Sequence, residues 1–127
     1  MNTRAYLAEL VGTFLFFTIG YASVAAIGAS GGAPGLLVVP FSFGLGLMAA
    51  IFAFGHISGG HFNPAVTVAM VLDKRTTPSD AVGYIVAQVI GAIGAAAVIV
   101  IAVNQGAVAS GITKPGGGVT DFGALIL

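Results

Sequence analysis

Long apolar runs, separated by short polar or glycine-rich breaks, follow one another along the chain. A helix crossing a bilayer needs about 20 mostly apolar residues. Three runs satisfy that, at about 5–27, 36–56 and 81–103. Between the first two, residues 29–35 (ASGGAPG) have turn composition. After the second run the pattern changes. Ile57-Ser58-Gly59-Gly60-His61-Phe62-Asn63-Pro64 interrupts apolar sequence with polar side chains, two glycines and a proline, and the apolar stretch after it stops at Leu72. Counted from Pro64, that stretch makes a helix of roughly 13 Å, about half of a roughly 30 Å hydrocarbon core. Non-helical backbone at membrane depth is tolerated only where it lines a cavity or is buried in protein. The pattern therefore predicts a re-entrant loop and half-helix over 57–72 that enters and leaves on one side. Asp73 to Asp80 is a polar loop, 104–120 is glycine-rich, and 121–127 begins another apolar run. The simplest reading is a sequence truncated at the start of a fourth helix. The expected fold is an all-α membrane protein of three transmembrane helices plus one re-entrant half-helix. Gly83, Ala87, Gly91 and Ala95 recur every fourth residue, a small-residue stripe that lets another helix approach closely.

Composition removes the alternatives. Of 127 residues, 57% are hydrophobic and 6% charged, where a soluble domain is nearer a quarter charged. Arg4, Glu9, Asp73, Lys74, Arg75, Asp80, Lys114 and Asp121 carry all the formal charge, too few for a water-facing surface or a disordered chain. The net charge is zero, with no basic stripe, so the expected partner is the lipid bilayer and not nucleic acid. Cysteine is absent, which removes disulfides and thiolate chemistry. A signal peptide competes for the first run, given Arg4 and the small residues near Ala25, but the run is too long and Glu9 sits near its start. Arg4, Lys74 and Arg75 lie on one side of the predicted spans and Lys114 on the other. That bias puts the N-terminus in the cytoplasm and the chain, multi-pass, in the cell (inner) membrane.

The re-entrant segment carries the candidate chemistry. Residues 57–63, nearly extended, reach roughly 20 Å, enough to climb to the midplane. Asn63 suits an N-cap and Pro64 the first helical position. The Asn63 carbonyl oxygen can then accept from the first turn while its amide N–H groups point outward as donors. The helix N-terminus adds about half a positive charge, opposing cations and protons. Carbonyls of Gly59, Gly60, His61 and Phe62 can line a path as acceptors. Donors at the midplane and acceptors below suit a small neutral hydroxylic solute. Glu9, an acid inside a span, is costly in hydrocarbon and faces the interior, snorkels at the edge, or relays protons. Gln88 is a mid-span amide suited to joining helices, and Thr67 can bond the preceding turn. His56 and His61 have no further ligands nearby, so no metal or cofactor is expected. No Ser/His/Asp set, carboxylate pair or phosphate loop is visible, so no catalytic residue is assigned and no enzyme is expected.

The stretch Gly55-His56-Ile57-Ser58-Gly59-Gly60-His61-Phe62-Asn63-Pro64-Ala65-Val66-Thr67 resembles the first signature of the major intrinsic protein family, the aquaporins and glycerol facilitators. Ala8-Glu9-Leu10-Val11-Gly12-Thr13-Phe14 resembles the start of that family's first helix, and Gly83-Tyr84-Ile85-Val86-Ala87-Gln88 its third. The wording is closest to bacterial aquaporins of the Z type. The likeness covers the whole chain but only the family's N-terminal half. It implies an aquaporin-like half-repeat, one of two inverted repeats whose Asn-Pro-Ala tips meet at the midplane. Asn63-Pro64-Ala65 is the first tip. The second, its arginine and the fifth-helix histidine lie outside this sequence. By resemblance, Asn63, Phe43, Gly59, Gly60, His61, Phe62 and Val66 line the pore, Phe43 as the aromatic of the selectivity filter. Glu9, Pro64, Ala65 and Gln88 support the pore loop, Glu9 through the loop's backbone N–H groups. The implied function is a passive water channel, single file and proton-excluding, completed by a C-terminal half and homotetrameric when complete. The alternatives are a glycerol or small-neutral-solute facilitator and a non-conducting half-channel. Half of a secondary transporter would also have a broken helix, but no carboxylate stands at the predicted midplane.

Overall fold

In the computed structural model, residues 2–30 and 35–112 are described, and their regular structure is entirely helical. The elements are α1 (Thr3–Ser30), α2 (Gly35–Ser58), α3 (Pro64–Leu72), α4 (Pro78–Ala102) and α5 (Gln105–Ala109). Three of them, α1, α2 and α4, are long and apolar enough to cross a membrane. With 28, 24 and 25 residues they are about 42, 36 and 38 Å long, more than a hydrocarbon core requires.

α1 is the helix along which both α2 and α4 pack. Small residues make the approach possible, because apolar side chains gain little from leaving lipid and association relies on close packing. Ala5, Ala8, Ala50, Ala87 and Ala95 are buried. A methyl group on Gly91 would collide with the Leu10 backbone oxygen and lie 3.1 Å from the Phe14 nitrogen, so α1 and α4 meet backbone to backbone there. Ala87, Gly91 and Ala95 of the four-residue stripe thus face inward, and Gly83 fits beneath the Tyr6 ring.

α1 starts, α2 ends and α4 starts at the same end of the bundle. Glu9 of α1 bonds Ser58 at the close of α2, and Tyr6 of α1 donates to Asp80 in the first turn of α4 at 2.8 Å. The chain between Ser58 and Pro78 therefore leaves from and returns to one end without crossing. α3 is the return arm, nine residues and about 13 Å. Asn63 is its N-cap in extended conformation, accepting from Ala65 N, with Pro64 in the first turn.

The helix ends differ from the sequence expectations. α1 and α2 each extend two or three residues further at one or both ends, and α4 begins at Pro78, not near 81. The reason is capping: Thr77 accepts from Asp80 N, which makes the polar residues 78–80 a helical first turn. α5 lies in the segment expected to be all loop, nucleated by the Asn104 side chain accepting from Ala107 N. The start of a fourth helix expected at 121–127 lies outside the described residues.

Candidate functional site

The loop between α2 and α3 is held from one side by a single carboxylate. Glu9 is fully buried. Its Oε1 accepts from Ser58 Oγ at 2.6 Å and His61 N at 2.9 Å; its Oε2 accepts from Phe62 N at 2.6 Å and Gln88 Nε2 at 2.7 Å. Both oxygens act purely as acceptors, with their capacity used in full. The cost of an acid in this position is met by donors from the loop and from α4.

A second tier braces the half-helix. Thr67, fully buried one turn beyond Asn63, donates from Oγ1 to the Asn63 carbonyl at 3.1 Å and accepts from Gln88 Nε2 at 2.9 Å. His61 Nδ1 lies 3.1 Å from the same Oγ1. With the Thr67 proton on Asn63, the imidazole contributes its Nδ1–H there. The Tyr84 hydroxyl donates to the Ser58 carbonyl at 2.7 Å, and its ring stands 4.9 Å from that of His61. Gln88 therefore ties α1, α3 and α4 together, and Tyr84 ties α4 to the end of α2.

This bracing fixes an unusual backbone. Gly59 and Gly60 have φ of 92° and 68°, conformations open to glycine. Phe62 has φ of 47°, which costs a side-chain-bearing residue about 1–2 kcal/mol. Its N–H is bonded to Glu9 and its ring, 1% exposed, covers the open face of Gly12, where a methyl group would collide with it. Among the described residues, no hydrogen bond reaches the carbonyls of Gly59, Gly60, His61 and Phe62, whereas the flanking Ser58 and Asn63 carbonyls are taken by Tyr84 and Thr67. The loop spends its N–H groups of His61 and Phe62 on Glu9 and leaves four consecutive carbonyls as open acceptors.

At the tip, Asn63 Oδ1 accepts from Ala65 N at 2.8 Å. That bond orients the amide so that Nδ2 carries two N–H donors with no acceptor among the described residues. Pro64, Ala65 and Val66 are exposed beside it, Val66 by 37%. The first-turn N–H groups here lack intrahelical partners, as at any helix start.

Phe43 stands apart from this cluster. Fifteen residues before Ser58 on α2, it lies about 22 Å away along the helix axis. It packs with Phe16, Phe17 and Tyr21 at ring separations of 5.6, 6.4 and 6.3 Å. Its ring occupies the space a methyl group on Gly20 would need. His56 is exposed at the end of α2.

Sequence reasoning did not single out Ser58, Tyr84 or Gly12. Ala81, Tyr84, Gln88 and Gly91 are all buried and fall at helical three- and four-residue spacing, a stripe that contains Tyr84 and was available to find it.

A model of the Major intrinsic protein family matches residues 1–126. The chain is 46% identical over 119 residues to "Glycerol uptake facilitator protein-like 6" of Lactiplantibacillus plantarum, covering 94% of this chain and 51% of that protein. It is 45% identical over 100 residues to an Aquaporin Z of Rhodopseudomonas palustris, covering 78% and 42% respectively. An Aquaporin Z of Photorhabdus laumondii is 42% identical over 123 residues, covering 94% and 52%. The chain spans about half the length of the curated relatives it matches.

Proposed function

The chain belongs to the major intrinsic protein family, and from that premise we propose that it supplies the N-terminal half of a passive transmembrane water channel. The observation that carries the reading is the division of labour in the loop: N–H groups spent on Glu9, four carbonyls left open, and the Asn63 amide free to donate. Water descending the path donates to successive carbonyls of Phe62, His61, Gly60 and Gly59. At the tip it accepts from Asn63 Nδ2. A proton moving along a water file needs each water to accept and then donate in turn. Donors at the tip fix the central water as an acceptor, and the half-helix N-terminus opposes positive charge there. Proton exclusion from a single file of water follows from that pair of effects. Phe43 narrows the path on the opposite side of the tip and favours water over larger solutes. Glu9, Gln88, Pro64 and Ala65 position the loop and tip; Val66 borders the path.

We place the N-terminus and the 73–80 loop in the cytoplasm, on the charge bias of Arg4, Lys74 and Arg75. A complementary C-terminal half closes the other wall of the path, and complete channels associate as a homotetramer. A facilitator of glycerol or another small neutral solute is the second reading, favoured by the name of the Lactiplantibacillus relative.

The test is stopped-flow shrinkage of proteoliposomes holding this chain fused to the second half of one of its relatives. Shrinkage well above that of empty liposomes, with internal pH unchanged under a proton gradient, is the expected result. Faster loss of a glycerol gradient than of a water gradient selects the second reading. Shrinkage and glycerol flux both no faster than in empty liposomes, with folding verified by circular dichroism, overturn both.

A further inference from the structure

Phe43 has no polar handle, so packing alone sets the direction of its ring. The ring lies over Gly20, where an added methyl group would collide with it, and three aromatic rings of α1 surround it. Each meets it edge to face, at interplanar angles of 78° for Phe16, 87° for Phe17 and 78° for Tyr21. Phe17, Gly20 and Tyr21 fall at i, i+3 and i+4 of α1 and so share one face. Aromatic pairs at these separations favour such an arrangement beyond what burial alone provides, so each neighbour helps to hold the Phe43 ring.

Tyr21 differs from the other two in what stands against it. Its ring packs on Phe17 at 5.7 Å and also on Gly111, in the turn that closes α5. A methyl group on Gly111 would lie 2.6 Å from Tyr21 Cε1 and 2.8 Å from Cδ1, so the ring rests directly on the glycine backbone. That backbone is itself held. Gly111 N donates to the Val108 carbonyl at 3.0 Å, Asn104 caps the start of α5, Ala107 is buried, and α5 packs on both α1 and α4. The Tyr21 hydroxyl has no hydrogen-bond partner among the described residues, so the ring makes these contacts and the hydroxyl does not. Gly111, Tyr21 and Phe43 thus form a line of contacts from the segment after α4 to the aromatic of α2.

We propose that Tyr21, wedged in place by Gly111, is a positioning residue for Phe43 and thereby sets how large a neutral solute the path admits. This role rests on Phe43 bordering the path, as proposed above, and extends that control to two residues distant from it in sequence. Without the Tyr21 ring, Phe43 gains space to turn into, and the path beside it widens.

The test is the ratio of glycerol to water permeability in proteoliposomes holding the completed channel. Tyr21→Ala should raise the ratio about two- to tenfold, the shift in ring population that loss of one aromatic pair allows. Tyr21→Phe keeps the ring and should leave the ratio at its starting value. Gly111→Ala presses on the Tyr21 ring and should alter the ratio while Tyr21 is present, but not beside Tyr21→Ala, where the methyl group has room. Gly111→Ala lies outside the spans and carries the test where Tyr21→Ala does not reconstitute. In the Phe43→Ala background, neither change should have a further effect. A ratio that rises in Phe43→Ala but stays put in Tyr21→Ala and Gly111→Ala overturns the proposal and leaves the reading of Phe43 standing. So does a lowered melting temperature in Tyr21→Ala with an unaltered ratio, which would give Tyr21 a packing role alone. An equal shift with and without Phe43 would mean that Tyr21 acts elsewhere and overturns it too. A ratio that Phe43→Ala does not alter removes the reading of Phe43 and this role with it.

Discussion

Replacing Glu9 by alanine should release the loop, and the size of the effect follows from what each donor has left. Gln88 Nε2 keeps Thr67 Oγ1 at 2.9 Å, whereas the Ser58 hydroxyl, which still accepts from Gly60 N at 3.1 Å, loses its own acceptor and can turn to seek another. His61 N and Phe62 N have no second partner among the described residues. An unsatisfied buried donor costs about 1–3 kcal/mol, so the pair loses about 2–6 kcal/mol. The Phe62 conformation at φ 47° adds about 1–2 kcal/mol that the bond to Glu9 no longer offsets. The cheaper outcome is for the segment to open. With a factor of ten for each 1.4 kcal/mol, exchange of the His61 and Phe62 amides should accelerate about 30-fold or more. Hydrogen exchange on the chain in detergent micelles or nanodiscs reads this directly, with amides in the middle of α4 as the internal reference. Glu9→Gln should fall between, since one amide oxygen can serve one pair of donors while its NH₂ confronts the other. Unchanged exchange at His61 and Phe62 in Glu9→Ala, with α1 and α4 still protected, would refute the claim that this carboxylate holds the loop.

Three further expectations concern single positions. In the completed channel, Asn63→Asp exchanges two amide donors for a carboxylate at the positive end of the half-helix dipole; proton or sodium leak across proteoliposomes should rise, and an unchanged leak counts against the barrier described above. Gly12→Val places side-chain atoms where the Phe62 ring lies and should destabilise by about 1–3 kcal/mol in thermal unfolding; Gly28→Val, with nothing within 4 Å of the added Cβ, is the matched control and should not destabilise. Gly20→Ala displaces the Phe43 ring, and Phe43→Ala removes it, so both should raise glycerol permeability relative to water in the completed channel; an unaltered ratio in both would take Phe43 out of the selectivity path.

Much of this architecture is legible in the sequence because the bilayer is a demanding solvent. The three spans follow from apolar length, and the half-helix from a run too short to cross, opened by an asparagine and a proline that cap and start a helix. Glu9 is legible for the same reason: an acid in hydrocarbon needs donors, and the polar loop is where donors are. Other features depend on contacts that no local pattern carries. Nothing in the sequence marks Phe62 for a left-handed backbone; the conformation is held by Glu9, distant in sequence, and by the space above Gly12. His61 could be expected to offer its carbonyl, but the burial of its ring between Thr67 and Tyr84 requires α4 to be in place. The start of α4 runs past the apolar pattern because the Thr77 cap makes polar residues 78–80 helical. α5 rests on one capping asparagine in glycine-rich sequence, too weak a signal to stand out.

The central claim is that four carbonyls and one amide of this chain line the water path. A high-resolution structure of the completed channel in lipid tests it most directly, through the ordered waters it reveals. The account predicts waters within hydrogen-bond distance of the carbonyl oxygens of Gly59, Gly60, His61 and Phe62, continuing to one that accepts from Asn63 Nδ2. A continuous file of waters running elsewhere in the protein, with those carbonyls dry, would contradict it.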